Sequence, residues 1–240
     1  MAFVMIAQRR RHAPGRKSRR AGGPRYGLLL LVLIATYLLS AFTEGQWVNG
    51  VQILAFVGTL LLALRNALVP RRIARAAIVV VLAGSAIAAG LVLSRPSDAV
   101  IGGAEIWTGL ILLATVIAIL RRILASTSVT LQSIYAALAA YMIIGLMFAT
   151  FYGAMNRLGS GAFFANGSPG NTKTFQYFSF TTLTTLGYGD FTAASNAGRA
   201  VAVIEAMVGQ IFLATLVARL VSAFRPSRPP DPPEAGEPRE

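Results

Sequence analysis

The sequence contains no cysteine, one histidine and few charged residues, which make up 13% of its 240 residues. Without cysteine the chain has no disulfide, no thiolate nucleophile and no zinc–thiolate site. A single histidine, His12, cannot build a histidine-based metal site or an acid–base pair. The sequence also lacks a Ser–His–Asp set, a phosphate-binding loop and a cluster of metal ligands. We therefore predict neither an enzyme nor a bound cofactor.

Low charge is accompanied by a high apolar content. Hydrophobic residues make up 55% of the chain, and the charged residues are gathered in short blocks between long apolar runs. Average soluble domains carry about 25% charged residues, and a soluble protein of this composition would expose a large apolar surface. The pattern therefore indicates a membrane protein.

Six apolar segments are long enough to cross a bilayer, which takes about 20 helical residues. They cover residues 26–42, 51–69, 76–93, 101–120, 130–151 and 200–224. Gly102, Gly103 and Glu105 interrupt the start of the fourth segment, so a shorter span that begins at Ile106 is an alternative. The chain is thus predicted to be an all-α membrane protein with six transmembrane helices.

The basic residues alternate between loops and predict the orientation. Eight of the 22 Lys and Arg residues precede Gly27, loop 43–50 has none, and the next loop contains Arg71, Arg72 and Arg75. Because Lys and Arg concentrate on the cytoplasmic side, we predict a multi-pass protein of the plasma membrane with both termini in the cytoplasm.

Both tails are expected to be disordered. Residues 1–25 are basic, and anionic lipid is a candidate partner there in addition to the surrounding membrane lipids. Nucleic acid is not expected, since a basic run beside a span more often sets topology. Residues 225–240 are rich in proline and too polar to bury a core. Only two of the 22 basic residues are lysines, which points to a bacterial source.

The segment between the last two spans has a different character. Residues 156–173 form a loop rich in Gly, Ser, Asn and Pro, and residues 174–185 are a moderately apolar stretch too short to span a membrane. We predict a re-entrant helix here, which enters the membrane and returns outward. Non-helical backbone at that depth is tolerated where protein buries it or where it lines a water-filled path. The loop after Thr185 should therefore line a cavity.

This loop reads Thr-Thr-Leu-Gly-Tyr-Gly-Asp over residues 184–190. Backbone carbonyls can replace the hydration shell of an ion if successive residues alternate between left- and right-handed conformations. Gly187 and Gly189, at every second position, suit that alternation. Tyr188 can wedge outward against the neighbouring helix, and Thr185 can add its hydroxyl at the inner end.

The run resembles the selectivity filter of the potassium channel family, whose usual sequence is TVGYG, with Leu186 in place of valine. The resemblance covers residues 130–224 and implies a pore domain of outer helix, pore helix, filter and inner helix. It implies that potassium, as the permeant ligand, binds at the filter positions Thr185, Leu186, Gly187, Tyr188 and Gly189, with Thr184 as a supporting residue. Because one chain supplies one filter strand and the ring needs four, a homotetramer is expected.

Three residues around the filter carry further expectations from the resemblance. Asp190 is similar to the acidic residue that closes the outer mouth. Tyr177 lies where the family commonly has an aromatic residue that braces this carboxylate, although an interfacial anchor is an equal alternative. Gly209 lies at a frequent hinge of the inner helix, and close helix packing is the alternative there.

Helical spacing predicts the lining of the cavity below the filter. Gln210, Leu213, Val217 and Val221 share one face of the last span with Gly209. An apolar lining at Val217 and Val221 could act as a dewetting gate.

Glu205 is the only acidic residue within the last span. A carboxylate there needs a partner, and its helical position turns it away from the pore. We expect it to support the filter through hydroxyl groups such as those of Ser179, Thr181 or Thr182, with protonation-linked control of the filter as the alternative.

Voltage-gated channels share the six-span layout, but they sense voltage through basic residues in the fourth span. Here residues 106–120 contain none, and Arg121 and Arg122 are adjacent at its cytoplasmic end. Residues 26–125 are therefore predicted to form a four-helix scaffold. The alternatives to a potassium-selective channel are a weakly selective cation channel, a potassium uptake transporter subunit and a non-conducting membrane scaffold or sensor.

Overall fold

The structure is a computed structural model that describes residues 26–42, 57–58, 71–126 and 129–223. Within these ranges the chain is helical, with one isolated antiparallel bridge between Phe164 and Ala193. The helices are α1 (Tyr26–Phe42), α2 (Arg71–Ser94), α3 (Asp98–Ala125), α4 (Leu131–Leu158), α5 (Thr172–Leu183) and α6 (Asn196–Ala223). The all-α prediction agrees with this part of the chain.

Four of these helices, α2, α3, α4 and α6, are long and apolar enough to cross a membrane. Helix α1 is apolar but has 17 residues. Almost all of the second predicted span, residues 51–69, lies outside the described residues, as do both predicted tails. The count of six spans therefore stays a prediction.

The helix boundaries correct the predicted ones in two places. Helix α3 begins at Asp98, earlier than either predicted start, because the side chain of Ser97 caps it by accepting a hydrogen bond from the Val100 amide at 3.3 Å. Helix α4 continues past the predicted end at residue 151 to Leu158. Its polar last turn is held by an ion pair between Arg157 and Asp98 at 2.9 Å, so the following loop begins at residue 159.

Helix α4 is the centre of the described structure. In its most apolar stretch 61% of the residues are buried, compared with 33% in α3 and 11% in α6. It packs against α1, α3, α5 and α6. Helix α3 approaches it closely at Gly109, where a side chain would overlap the ring of Phe151. Small residues at such crossings let helix backbones approach in a membrane.

Helix α1 also reaches the short helix α5. The rings of Tyr37 and Phe180 meet edge to face with centroids 5.1 Å apart, and Ser40 donates a hydrogen bond to the buried Gln176 at 3.3 Å. Helices α1 and α4 thus hold α5 in position, and α6 also packs against α5.

Candidate functional site

The start of α5 is anchored by a cap and by aromatic packing. Asn171 and Thr174 form a reciprocal capping box, in which each side chain bonds the backbone amide of the other residue. Phe175 stacks on Phe164 at 5.2 Å, and Phe163 packs edge to face against both rings. These contacts join the loop after α4 to the first turn of α5, so the short helix has a defined depth and direction.

The end of α5 satisfies the first amides of the loop that follows. Thr181 O accepts hydrogen bonds from the amides of Leu186 at 2.8 Å and Gly187 at 3.1 Å, and Thr182 O accepts from the amide of Thr185 at 2.9 Å. The hydroxyl of Thr184 donates to Phe180 O at 2.7 Å. The end of the helix therefore ties down the inner part of the loop through backbone bonds.

The loop backbone alternates in handedness. Thr185, Gly187 and Gly189 have positive φ angles of 57°, 53° and 81°, whereas Leu186 and Tyr188 do not. Glycine adopts such angles at low cost, but Thr185 is the single non-glycine residue with positive φ among those described. The sequence pattern pointed to the two glycines and gave no sign that Thr185 shares their conformation.

The outer end of the loop is held by a carboxylate. The hydroxyl of Tyr177 donates to Asp190 Oδ2 at 2.8 Å, and the amide of Phe191 donates to Asp190 Oδ1 at 3.0 Å. The hydrogen bond to Asp190 raises the pKa of Tyr177 above its ordinary value. Asn166, which the sequence reasoning did not single out, donates to Asp190 O at 3.1 Å. Tyr177 therefore contacts Asp190, as the brace alternative requires, and it also stacks on Tyr188 with ring centroids 6.4 Å apart.

The inner end of the loop contacts α6. Gln210 Nε2 donates a hydrogen bond to Thr185 Oγ1 at 3.1 Å. One residue earlier, a side chain at Gly209 would overlap the carbonyl oxygen of Leu183 at the end of α5. That carbonyl also accepts from the Tyr141 hydroxyl at 3.2 Å. Gly209 is therefore a point of close helix packing, and its role as a hinge stays a prediction.

Glu205 lies on α6 and is completely buried where this helix packs against α4 and α5. Its Oε2 accepts a hydrogen bond from the Tyr152 hydroxyl at 2.6 Å, and its Oε1 accepts from Ser179 Oγ. Of the three hydroxyl groups named as candidate partners, Ser179 makes this contact, whereas Thr181 Oγ1 donates to Phe178 O instead. The sequence did not predict Tyr152 as a partner of Glu205, because a tyrosine in an apolar span gives no local sign of a polar partner on another helix.

The predicted cavity-lining residues of α6 are unequally exposed in the single chain. Gln210, Val217 and Val221 are exposed, with Val217 at 57% and Val221 at 62%, whereas Leu213 is half-buried. The gate assigned to the two valines stays a prediction.

Comparison with known families gives a match in the second half of the chain. Residues 138–225 match a family described as an ion channel. No curated protein and no solved structure matched the chain. The match spans α5, the loop after it and α6, together with most of α4. It supports an ion channel, in agreement with the broader part of the sequence prediction, and the apolar helices agree with a membrane protein.

Proposed function

We propose that this chain is one subunit of a homotetrameric potassium-selective channel of the plasma membrane, whose filter is formed by residues 185–189. The observation that carries the proposal is the alternation of backbone handedness at Thr185, Gly187 and Gly189. Such alternation lets successive carbonyl groups of an extended strand face one axis, where they can replace the hydration shell of potassium.

The hydrogen bonds around the loop support this use. The amides of Leu186 and Gly187 donate hydrogen bonds to Thr181 O of α5. These N–H groups therefore point towards α5, which leaves the other side of the strand to the permeant ion. The Thr185 hydroxyl has a fixed partner in Gln210. Asp190 holds the outer end through Tyr177. Both ends of the strand are thus fixed before an ion enters, which a filter requires if it is to replace water without collapsing.

Two features support a ring of subunits. A single chain holds one filter strand, and the whole segment 184–190 is exposed, with Leu186 at 55% and Tyr188 at 66%. Helix α6 is the least buried of α3, α4 and α6. Its exposed apolar residues include Val203, Ile204, Met207, Ile211, Val217 and Val221. A neighbouring copy would cover part of this surface, and four copies would close the filter ring.

The helices before the pore act as a scaffold in this proposal. Helices α1 and α3 pack directly on α4, and α1 contacts α5 through Tyr37 and Ser40. Residues 106–120 carry no basic side chain that could move in an electric field. A steep dependence of conductance on voltage, measured on the purified channel, would contradict the scaffold role.

One feature favours a weakly selective cation channel as a second candidate. Leu186 replaces the valine of the usual filter, and its larger side chain is more than half exposed in the single chain. Packing of this side chain in the assembled ring would decide the width of the filter. Reversal potentials measured with potassium on one side of the membrane and sodium on the other distinguish the two candidates. Only a selective filter moves the reversal potential close to the equilibrium potential of potassium.

The direct test is flux of potassium or rubidium into liposomes that contain the purified protein. Gly187→Ala places a side chain at φ +53°, which costs about 1–2 kcal/mol for an L-residue, and it should abolish flux. Gly161→Ala is the matched control, because Gly161 has open space around it and no positive φ, and its flux should equal that of the unmodified protein. Equal flux in Gly187→Ala and in the unmodified protein would rule out the filter.

A further inference from the structure

A cavity of about 260 Å³ lies beside α5, and none of its described lining residues belongs to α6. We call it the outer cavity, because it is at the end of the helices where the 159–171 loop begins. Its walls come from four helices: Val92 of α2, Ile101, Ala104, Glu105 and Thr108 of α3, Leu146, Ala149, Thr150, Gly153 and Arg157 of α4, and Thr172, Phe175 and Gln176 of α5. The walls are mostly apolar, with a small group of polar side chains.

Glu105 presents an unsatisfied carboxyl group in this cavity. Its Oε2 is buried and has no hydrogen-bond partner in the part of the chain that the structure describes. The group sits in the gap left by Gly153, where an added Cβ would lie 3.0 Å from the carboxyl carbon and from both oxygens. A buried carboxyl within a membrane helix is costly unless it is paired, and such groups mark binding sites or pathways.

The positive charge of Arg157 acts electrostatically on Glu105. Its guanidinium, however, donates to Asp98 Oδ1 at 2.9 Å, at the exposed end of the same helices. The Arg157–Asp98 ion pair therefore lies at the mouth of the cavity, and Oε2 of Glu105 stays without a hydrogen-bond partner among the described residues.

Two threonine hydroxyls of the cavity also present acceptors, whereas the side chains of Arg157 and Gln176 present donors. The hydroxyl of Thr108 donates to Ala104 O at 2.9 Å, and that of Thr150 donates to Met147 O at 2.7 Å. A hydroxyl has one proton, so each of these oxygens has only lone pairs left for a ligand. Together with Glu105 they make a set of acceptors that suits a ligand with several N–H donors and a positive charge.

We propose that the outer cavity binds a primary ammonium group carried on an apolar body, with Glu105 as its counter-ion and Thr108 and Thr150 as neutral acceptors. A primary ammonium has three N–H donors, whereas a quaternary ammonium has none. The ethanolamine headgroup of a membrane lipid and a free alkylamine both supply this chemistry. The cavity volume equals that of several water molecules, which occupy about 30 Å³ each. A lipid headgroup or a short amine fits a space of this size.

The location favours a lipid as the source. The mouth of the cavity carries Arg157, and a zwitterionic ethanolamine lipid brings a phosphate next to its ammonium group. The apolar walls formed by Val92, Ile101 and Leu146 would contact the hydrocarbon part of the ligand. The inference needs the helices to lie in a bilayer, and it does not depend on whether the chain conducts.

The test compares lipid binding to the purified full chain by native mass spectrometry. Phosphatidylethanolamine and phosphatidylcholine have the same phosphate and overall charge, but only the first has N–H donors. We expect the unmodified protein to bind phosphatidylethanolamine about tenfold more tightly, and E105Q to lose this preference, since a hydrogen bond to a charged group is worth roughly a factor of ten or more. Leu113→Ile is the control, because Leu113 is an exposed residue of the same helix outside the cavity walls, and it should keep the preference.

A second variant tests the cavity without changing Glu105, in case E105Q loses lipid binding only because it folds poorly. Ala104→Leu shrinks the cavity and leaves the carboxyl in place, and it should weaken phosphatidylethanolamine binding as well. Octylamine, added to protein in phosphatidylcholine, shows whether a free amine is the better ligand. Binding of either amine that depends on Glu105 supports the proposal. It is overturned if neither amine is preferred over phosphatidylcholine, or if the preference survives in E105Q.

Discussion

The side-chain amide of Gln210 donates a hydrogen bond to the hydroxyl of Thr185 at 3.1 Å, and this contact joins the inner end of the loop to helix α6. The two residues are 25 positions apart in the chain. Thr185 has a φ of 57°, which an L-residue rarely adopts. The hydrogen bond therefore belongs to the set of contacts that keeps this conformation in place.

Replacement of Gln210 by leucine should weaken potassium binding at the inner end of the filter. The change removes the donor to Thr185 Oγ1, a net loss of about 1 kcal/mol, and we expect rubidium flux to fall several-fold. Flux into liposomes measures this. Met207→Leu, at an exposed position one turn earlier, is the control and should leave flux unchanged. A normal flux in Gln210→Leu would show that the contact is not needed for conduction.

Loss of the Tyr152 hydroxyl should destabilise the protein. It donates to the fully buried Glu205 at 2.6 Å, and Tyr152→Phe leaves that carboxyl with an unsatisfied oxygen, at a cost of about 1–3 kcal/mol. The midpoint of thermal unfolding in detergent should fall. Tyr135→Phe is the control, since Tyr135 is part-buried and its hydroxyl takes part in no hydrogen bond in the described part of the chain. Equal shifts in the two variants would argue against a special role of the bond to Glu205.

The same carboxyl allows a test of protonation-linked control. If Glu205 only braces α5 through Ser179, flux through the unmodified protein should be nearly constant from acid to neutral pH. If its protonation controls the filter, flux should change over this range, and Glu205→Gln should remove the change. Rubidium flux measured at a series of pH values separates the two roles, and a flat profile in the unmodified protein dismisses the sensor.

Tyr177→Phe should loosen the outer mouth of the filter. The variant keeps the ring but loses the hydrogen bond to Asp190 Oδ2, so we expect a smaller shift of the reversal potential between potassium and sodium. Because the hydrogen bond to Asp190 raises the pKa of Tyr177, the hydroxyl keeps its proton below the ordinary tyrosine pKa and loses it only as the pH rises past the raised value. The unmodified protein should therefore keep its selectivity from pH 7 to about 9.5. A loss of selectivity within that range would contradict this assignment.

Val221→Asp should raise the open probability if the lower part of α6 closes the pore by dewetting. A carboxylate would keep water in an apolar constriction and lower the barrier to ions. Single-channel recordings measure the effect, and Val221→Leu, which keeps the position apolar, should retain the closed state. An unchanged open probability in Val221→Asp would show that Val221 is not part of the gate.

Much of the helical framework follows from apolar periodicity and length alone. The segment of α6 was predicted to within four residues of its observed start, and Glu205 is the only acidic residue in its apolar run. The start of α3 was predicted three residues late, at residue 101, and the alternative start at Ile106 is wrong, because Gly102, Gly103 and Glu105 are helical. Their helical conformation depends on the Ser97 cap and on packing against α4, and neither is visible as local hydrophobicity.

For the candidate site, the sequence by itself predicted the loop 184–190 as the segment of interest, the left-handed backbone at Gly187 and Gly189, and the need of Glu205 for a partner. Each follows from a local property: glycine tolerates positive φ, and a carboxyl in an apolar helix must be paired. Only the tertiary structure decided that Tyr152 and Ser179 pair with Glu205, that Thr185 is left-handed, and that Glu105 faces a cavity beside Gly153. These features depend on which helix faces meet, and pairings between residues 26 or 53 positions apart leave no trace in the spacing of the chain.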